Sequence, residues 1–170
     1  MNIVKAASDW AKAEIFSAQI FIFCGVLFLL GSTAFWQLGK TVLTNALIFP
    51  VLVAGVLLLA AGLGFYFSNK TRLSNFESDF KANPATFIES EIERTEKTID
   101  SYENVAFKVF PAIIVLAVLL LIFIDRPIWR AINIVIIGFF VVTILLDSKA
   151  HSSIKVYREQ LKVVEKDLNN

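Results

Sequence analysis

The chain has 170 residues, 56% of them hydrophobic and only 18% charged, with a mean hydropathy of +0.68 and a net charge of +1. Soluble domains hold about 45–50% apolar residues, so the composition is that of a membrane protein, and the length suits one domain. The near-neutral balance excludes a nucleic-acid partner, which needs a basic face opposite the phosphates, and the lone Cys24 excludes an internal disulfide and a cysteine-based metal site.

In the first 14 residues, Ile3, Val4, Ala7, Trp10 and Ala11 fall on one side of a helix. The segment reads as a short amphipathic helix along the inner membrane interface or as a frayed terminus. An apolar run at about 15–37 follows, long enough to cross a bilayer and longer than the apolar part of a signal peptide. It is read as a retained first span, with Cys24 as a small apolar residue within it.

The second span, at about 42–67, carries no charge and is rich in small residues. Ala54/Gly55 and Ala61/Gly62 recur seven residues apart, a spacing that allows close helix approach. Gly55 and Gly62 are therefore candidate helix-packing positions, with the first span of the same chain favoured over another copy as the neighbour. Leu73, Phe76 and Phe80 continue helical spacing beyond the span, until Asn83–Pro84 offers an N-cap and a first helical residue for a returning helix.

That returning helix carries an apolar seam, Ile88, Ile92, Thr95, Ile99, Tyr102 and Ala106, at coiled-coil spacing. Beside it runs an acidic stripe of Glu89, Glu93, Glu96, Asp100 and Glu103. The third span, about 107–124, contains Pro111, a candidate kink. A tight link, Asp125–Arg126–Pro127, joins it to the fourth span at about 128–146, with Pro127 in the first turn. The C-terminal segment repeats the design with opposite charge. Ile154, Tyr157, Leu161, Val164 and Leu168 form its seam, and Lys155, Arg158, Lys162 and Lys166 its basic stripe.

Three readings of the acidic stripe stay open. It is a solvated face, the partner of the basic stripe, or a site for a cation or a protein. In the second reading the apolar seams supply the stability, because exposed ion pairs contribute little each, and the charges set the register.

Of the 16 Lys and Arg residues, only Lys40, Arg126 and Arg130 lie on one side of this layout. The positive-inside bias puts both termini and the middle loop in the cytoplasm. Trp36 and Trp129 fall at the outer interface, Trp10 and Tyr66 at the inner one. The expected architecture is an all-α membrane protein, a single four-span helical bundle over 1–170. A cytoplasmic helical hairpin at about 69–106 stands between spans 2 and 3, and a cytoplasmic helix at about 147–168 closes the chain. The expected location is the inner or plasma membrane.

Chemistry is sparse. No nucleotide-loop, hydrolase-elbow or zinc-protease motif is present. His151 is the sole histidine, and with Asp147 four residues earlier it supplies at most two metal ligands, where a site needs three or four. No ionisable residue lies at mid-membrane depth; Cys24, Ser32, Thr33 and Thr143 are the polar groups there. A proton-coupled carrier would need a carboxylate or histidine at that depth. At the outer rim Arg126 and Arg130 share a helix face with Asp125 and Asn133 nearby. They are either an anionic-lipid site or a snorkelling and capping set around the hairpin.

In topology alone, four spans with a helical insert between the second and third are similar to the stator subunits of ion-driven motors; the insert here is much shorter, no motif supports the likeness, and layout does not carry function. No catalytic, cofactor or metal residue is assigned. The expected function is a non-enzymatic scaffold or accessory subunit in the lipid bilayer. It would meet itself or another membrane protein through the cytoplasmic helices or the small-residue second span. The alternative is a homo-oligomeric channel with a largely apolar pore.

Overall fold

The computed structural model describes residues 3–169, with side chains through residue 167. The described chain is helical almost throughout, and four helices are long and apolar enough to cross a membrane. Helix α1 spans Ile3–Leu38 and α2 spans Val42–Ala82. Helix α3 (Pro84–Ser101), a π-helix (Tyr102–Val109) and α4 (Phe110–Phe123) run on as one rod. Helix α5 spans Pro127–Asn169.

Each break has a local cause. At the first, Gly39 N–H donates to the Phe35 carbonyl (2.9 Å). A Cβ at Gly39 would lie 2.3 Å from that oxygen, so the turn admits only glycine. Thr41 and Thr44 then satisfy each other's backbone N–H groups, a reciprocal cap that starts α2. At the second break, Asn83 Oδ1 accepts from the Thr86 N–H (3.2 Å) and Pro84 opens α3, as its missing N–H allows. Pro127 opens α5 in the same way.

The expected disturbance at Pro111 takes the form of π-winding over the preceding residues Tyr102–Val109. In a regular α-turn the Pro111 ring would crowd the Phe107 carbonyl, and the wider winding relieves that contact.

The N-terminal segment corrects the sequence reading. Residues 3–14 are neither frayed nor laid along an interface; they continue α1 without a break. Ile3, Ala7, Trp10 and Ala11 are buried against Phe76, Phe87, Ile88, Ile99, Ile154, Tyr157 and Leu161. Trp10 is thus a core residue of the polar half and not part of an aromatic belt. The predicted seams supply most of this core. Ile88, Thr95, Ile99 and Ala106 are buried from one side, Ile154, Tyr157 and Leu161 from the other. Leu168, the last position of the second seam, lies outside the described side chains.

In the apolar half α1 and α2 meet backbone to backbone. A Cβ at Gly62 would fall 2.8 Å from the Ile22 nitrogen and 3.0 Å from the Ala18 carbonyl oxygen. At Gly55 it would fall 3.0 Å from the Leu29 nitrogen and 3.1 Å from the Gly25 carbonyl oxygen. Ser32 Oγ adds a hydrogen bond across the pair, to the Ile48 carbonyl (2.8 Å). Helix α5 packs on both α1 and α2. Helix α4 is different. Among the described residues it approaches α5 and its own π-helical continuation, and neither α1 nor α2.

Candidate functional site

The acidic and basic stripes meet in part. Lys155 Nζ donates to Glu103 Oε1 (2.8 Å), and His151 Nε2 lies 3.3 Å from the same oxygen. Lys162 Nζ donates to Glu96 Oε1 (2.8 Å). Lys155 first and His151 second hold the Glu103 carboxyl below its ordinary range, and Lys162 does the same for Glu96. Two other stripe residues pair within their own helices. Glu93 pairs with Lys97 on its own helix (2.6 Å), and Arg158 with Glu159 (2.7 Å). Glu89, Asp100 and Lys166 are exposed.

The buried charge of the polar half is Glu91, which lies beside the acidic stripe rather than in it. It is only 8% exposed. Arg94 grips it with two bonds, Nε to Oε1 (2.9 Å) and Nη2 to Oε2 (2.5 Å), and the Tyr157 hydroxyl donates to Oε2 (2.9 Å). The Arg94 guanidinium also stands 4.3 Å over the Trp10 ring, which stacks on Tyr157. Burial, followed by the Glu91 charge, pushes the Tyr157 phenol above its ordinary value. Trp10 Nε1 is buried with no hydrogen-bond partner among the described residues. The signal for Glu91 was present in the spacing, since it lies three residues after Ile88 and four before Thr95, on the seam itself.

Gly55 and Gly62 are both used within the chain, against α1. At the α4–α5 turn one of the two arginines is engaged within the chain. Arg130 Nη1 donates to Asp125 Oδ1 (2.7 Å), and Asn133 turns back to the Trp129 carbonyl (2.8 Å). Arg126 is exposed at the turn. The hydroxyls at mid-depth are spent on backbone: Ser32 on Ile48, Thr33 on Leu30 and Thr143 on Phe139. Among the described residues no three His, Cys, Asp or Glu side chains are grouped to hold a metal ion.

His151 and Asp147, paired in the sequence reading, face different groups. His151 turns to Glu103 and to the Phe107 ring, 5.0 Å away. Asp147 instead lines a cavity of about 30 Å³ at the boundary between the polar and apolar halves. Glu14, Ser17, Ala18 and Phe21 of α1 face it there, with Phe65 of α2, Tyr102 of the π-helix, and Leu146 and Ala150 of α5. Glu14 and Asp147 sit just outside the apolar stretches of their helices. Burial pushes Glu14 up to about 7, eased by Arg94 and reinforced by Asp147. Burial alone pushes Asp147 up to about 6.

Comparison with protein-family models, with curated proteins and with solved structures finds no match.

Proposed function

We propose that this chain is a non-enzymatic multi-pass membrane scaffold or accessory subunit that associates through its membrane-buried face. The observation carrying this reading is the position of α4. It is apolar all round, yet only Ala117 is buried along it, and among the described residues α5 is its sole packed neighbour apart from its own continuation. Such a helix is enclosed by lipid or by other helices. Between α2 and α5, Phe49, Val53 and Leu57 of the one and Ile132, Ile136 and Phe139 of the other line an apolar groove of about 370 Å³.

The surfaces first expected to recruit a partner are engaged within the chain. Gly55 and Gly62 seat α1, and Glu96 and Glu103 hold Lys162 and Lys155. Association therefore falls to α4 and the groove. The Lys/Arg distribution favours both termini and the α2–α3 turn on the cytoplasmic side.

The test is cross-linking in native membranes from Leu116→Cys and Ile122→Cys, placed on exposed positions of α4 in a Cys24→Ala background. Adducts at one or both sites, with a detergent-corrected mass above the monomer, support the reading. A monomer with no adduct at either site sinks it. A ring of four or more copies that conducts in planar bilayers would select the channel instead.

A further inference from the structure

The boundary cavity brings together four oxygen-bearing side chains from three helical segments: Glu14 and Ser17 of α1, Tyr102 of the π-helix and Asp147 of α5. Its walls are otherwise Ala18, Phe21, Phe65, Leu146 and Ala150. Ser17 is only 8% exposed and makes no hydrogen bond with the described residues. A carboxylate taken out of water is costly unless it is fully paired or protonated. A cavity of about 30 Å³ has room for roughly one or two water molecules, given two or more polar partners. Ser17, Tyr102 and the two carboxyls supply them.

We propose that Glu14 and Asp147 form a protonatable pair, bridged by cavity water with Ser17 and Tyr102, that fastens α1 to α5 while it holds a proton and loosens that joint when both carboxyls ionise. The inference is independent of the scaffold reading. With one carboxyl neutral, its O–H donates into the water network and the remaining carboxylate accepts from it. With both ionised, two like charges share a small, largely apolar space, and each favours the state in which water reaches it.

The charged and titratable surroundings do not remove this conflict. Helix α3 contributes Arg94, which is already gripped by Glu91. The π-helix contributes Tyr102, whose phenol burial pushes above its ordinary value, and Glu103, which turns to Lys155 and His151. On α5, Lys149 lies over the Phe16 ring (5.2 Å), and its side chain and Glu14 line an adjacent pocket. Helix α2 gives the wall only Phe65.

The experiment compares the wild-type protein with Glu14→Gln, Asp147→Asn and the double variant, in detergent, from about pH 5 to about pH 8.5. A second set carries His151→Gln throughout, because histidine also changes charge near neutrality. Infrared difference spectra report protonated carboxyl groups directly, and the thermal midpoint reports the joint.

The expected result is a protonated-carboxyl band that disappears on raising the pH and is lost in the double variant. The wild-type midpoint falls by several degrees across the same interval while that of the double variant stays level. If the double variant keeps the wild-type band and slope, the proposal is overturned. It is equally overturned if sodium or calcium at the alkaline end restores the wild-type midpoint but not the variant's, since the cavity is then a cation site.

Discussion

Trp10 lies flat on Tyr157, their ring centroids 5.5 Å apart and their planes 11° from parallel. The contact joins the first turns of α1 to the last third of α5, so the two ends of the chain close one core. The Arg94 guanidinium stands over the same indole and at the same time holds Glu91, which accepts from Tyr157. One stack and one ion pair thereby tie together α1, α3 and α5.

Truncation of this stack should cost more than any other single change in the polar half. Trp10→Ala removes a large buried aromatic and is expected to lose about 3–5 kcal/mol. Tyr157→Phe keeps the ring but leaves Glu91 one donor short, and should lose about 1–3 kcal/mol. Denaturant or thermal unfolding in detergent, followed by helical signal, orders the two. A Trp10→Ala variant as stable as wild type would show that the N-terminal turns contribute no core.

Gly55→Leu and Gly62→Leu should destabilise the monomer rather than split an oligomer. Their new side chains would meet α1 backbone at Leu29 and Ile22, and overpacking of this kind costs about 1–3 kcal/mol or more. Unfolding and detergent-corrected mass distinguish the cases. A drop in mass without loss of monomer stability would place these glycines at an interface between chains.

The cross-helix ion pairs should matter little singly and together fix register. Lys155→Glu with Lys162→Glu is expected to lower the thermal midpoint by a few degrees at low salt and less at high salt, because exposed pairs are screened. Adding Glu96→Lys and Glu103→Lys should restore the midpoint by re-forming both bridges with reversed charge. Failure of the fourfold variant to recover would mean that the positive side chains act through their aliphatic stems.

Stability should peak in mildly acidic solution. Glu96 and Glu103 titrate lower in the folded chain than unfolded, so their stabilisation is present above the unfolded value and is lost as pH falls through the depressed one. Glu14 and Asp147 run the other way, raised to about 7 and about 6. The folded state then binds more protons, and stability falls as pH rises from the unfolded carboxyl value through those two. A pH series of thermal midpoints checks the shape. A curve that climbs steadily into alkaline solution would contradict the raised pair.

Much of this architecture could be read from residues alone, and the parts that could not share a cause. The spans were legible because uncharged runs of that length have few other uses. The α2–α3 turn was legible because Asn83–Pro84 carries its own capping chemistry. The α1–α2 contact followed from small residues seven apart. Burial of Ile3, Ala7 and Trp10 was not legible, since the same spacing serves a helix resting on a membrane and one inserted in a protein core. The peripheral position of α4 was hidden for a related reason. Lipid and protein present equally apolar surroundings, so a uniformly apolar helix does not record which of them it touches. Glu91 was hard to tell from its neighbours, because a carboxyl group beside a stripe of five others has the same sequence whether it is solvated or held by Arg94 and Tyr157. The boundary cavity needed coordinates, because Glu14 and Asp147 stand far apart in the chain and only the packing of α1 on α5 makes them neighbours.

Helix α2 passes from the polar half into the apolar half without a break, and its 41 residues make a rod of about 60 Å at 1.5 Å per residue. Helices α1 and α5 are comparable rods. Rods of this kind are levers: a tilt imposed on their polar ends must reappear, reversed in direction, at their far ends. The Glu14–Asp147 cavity lies where α1, α2 and α5 meet, at the junction of the two halves. The third rod differs from the others in its π-wound middle.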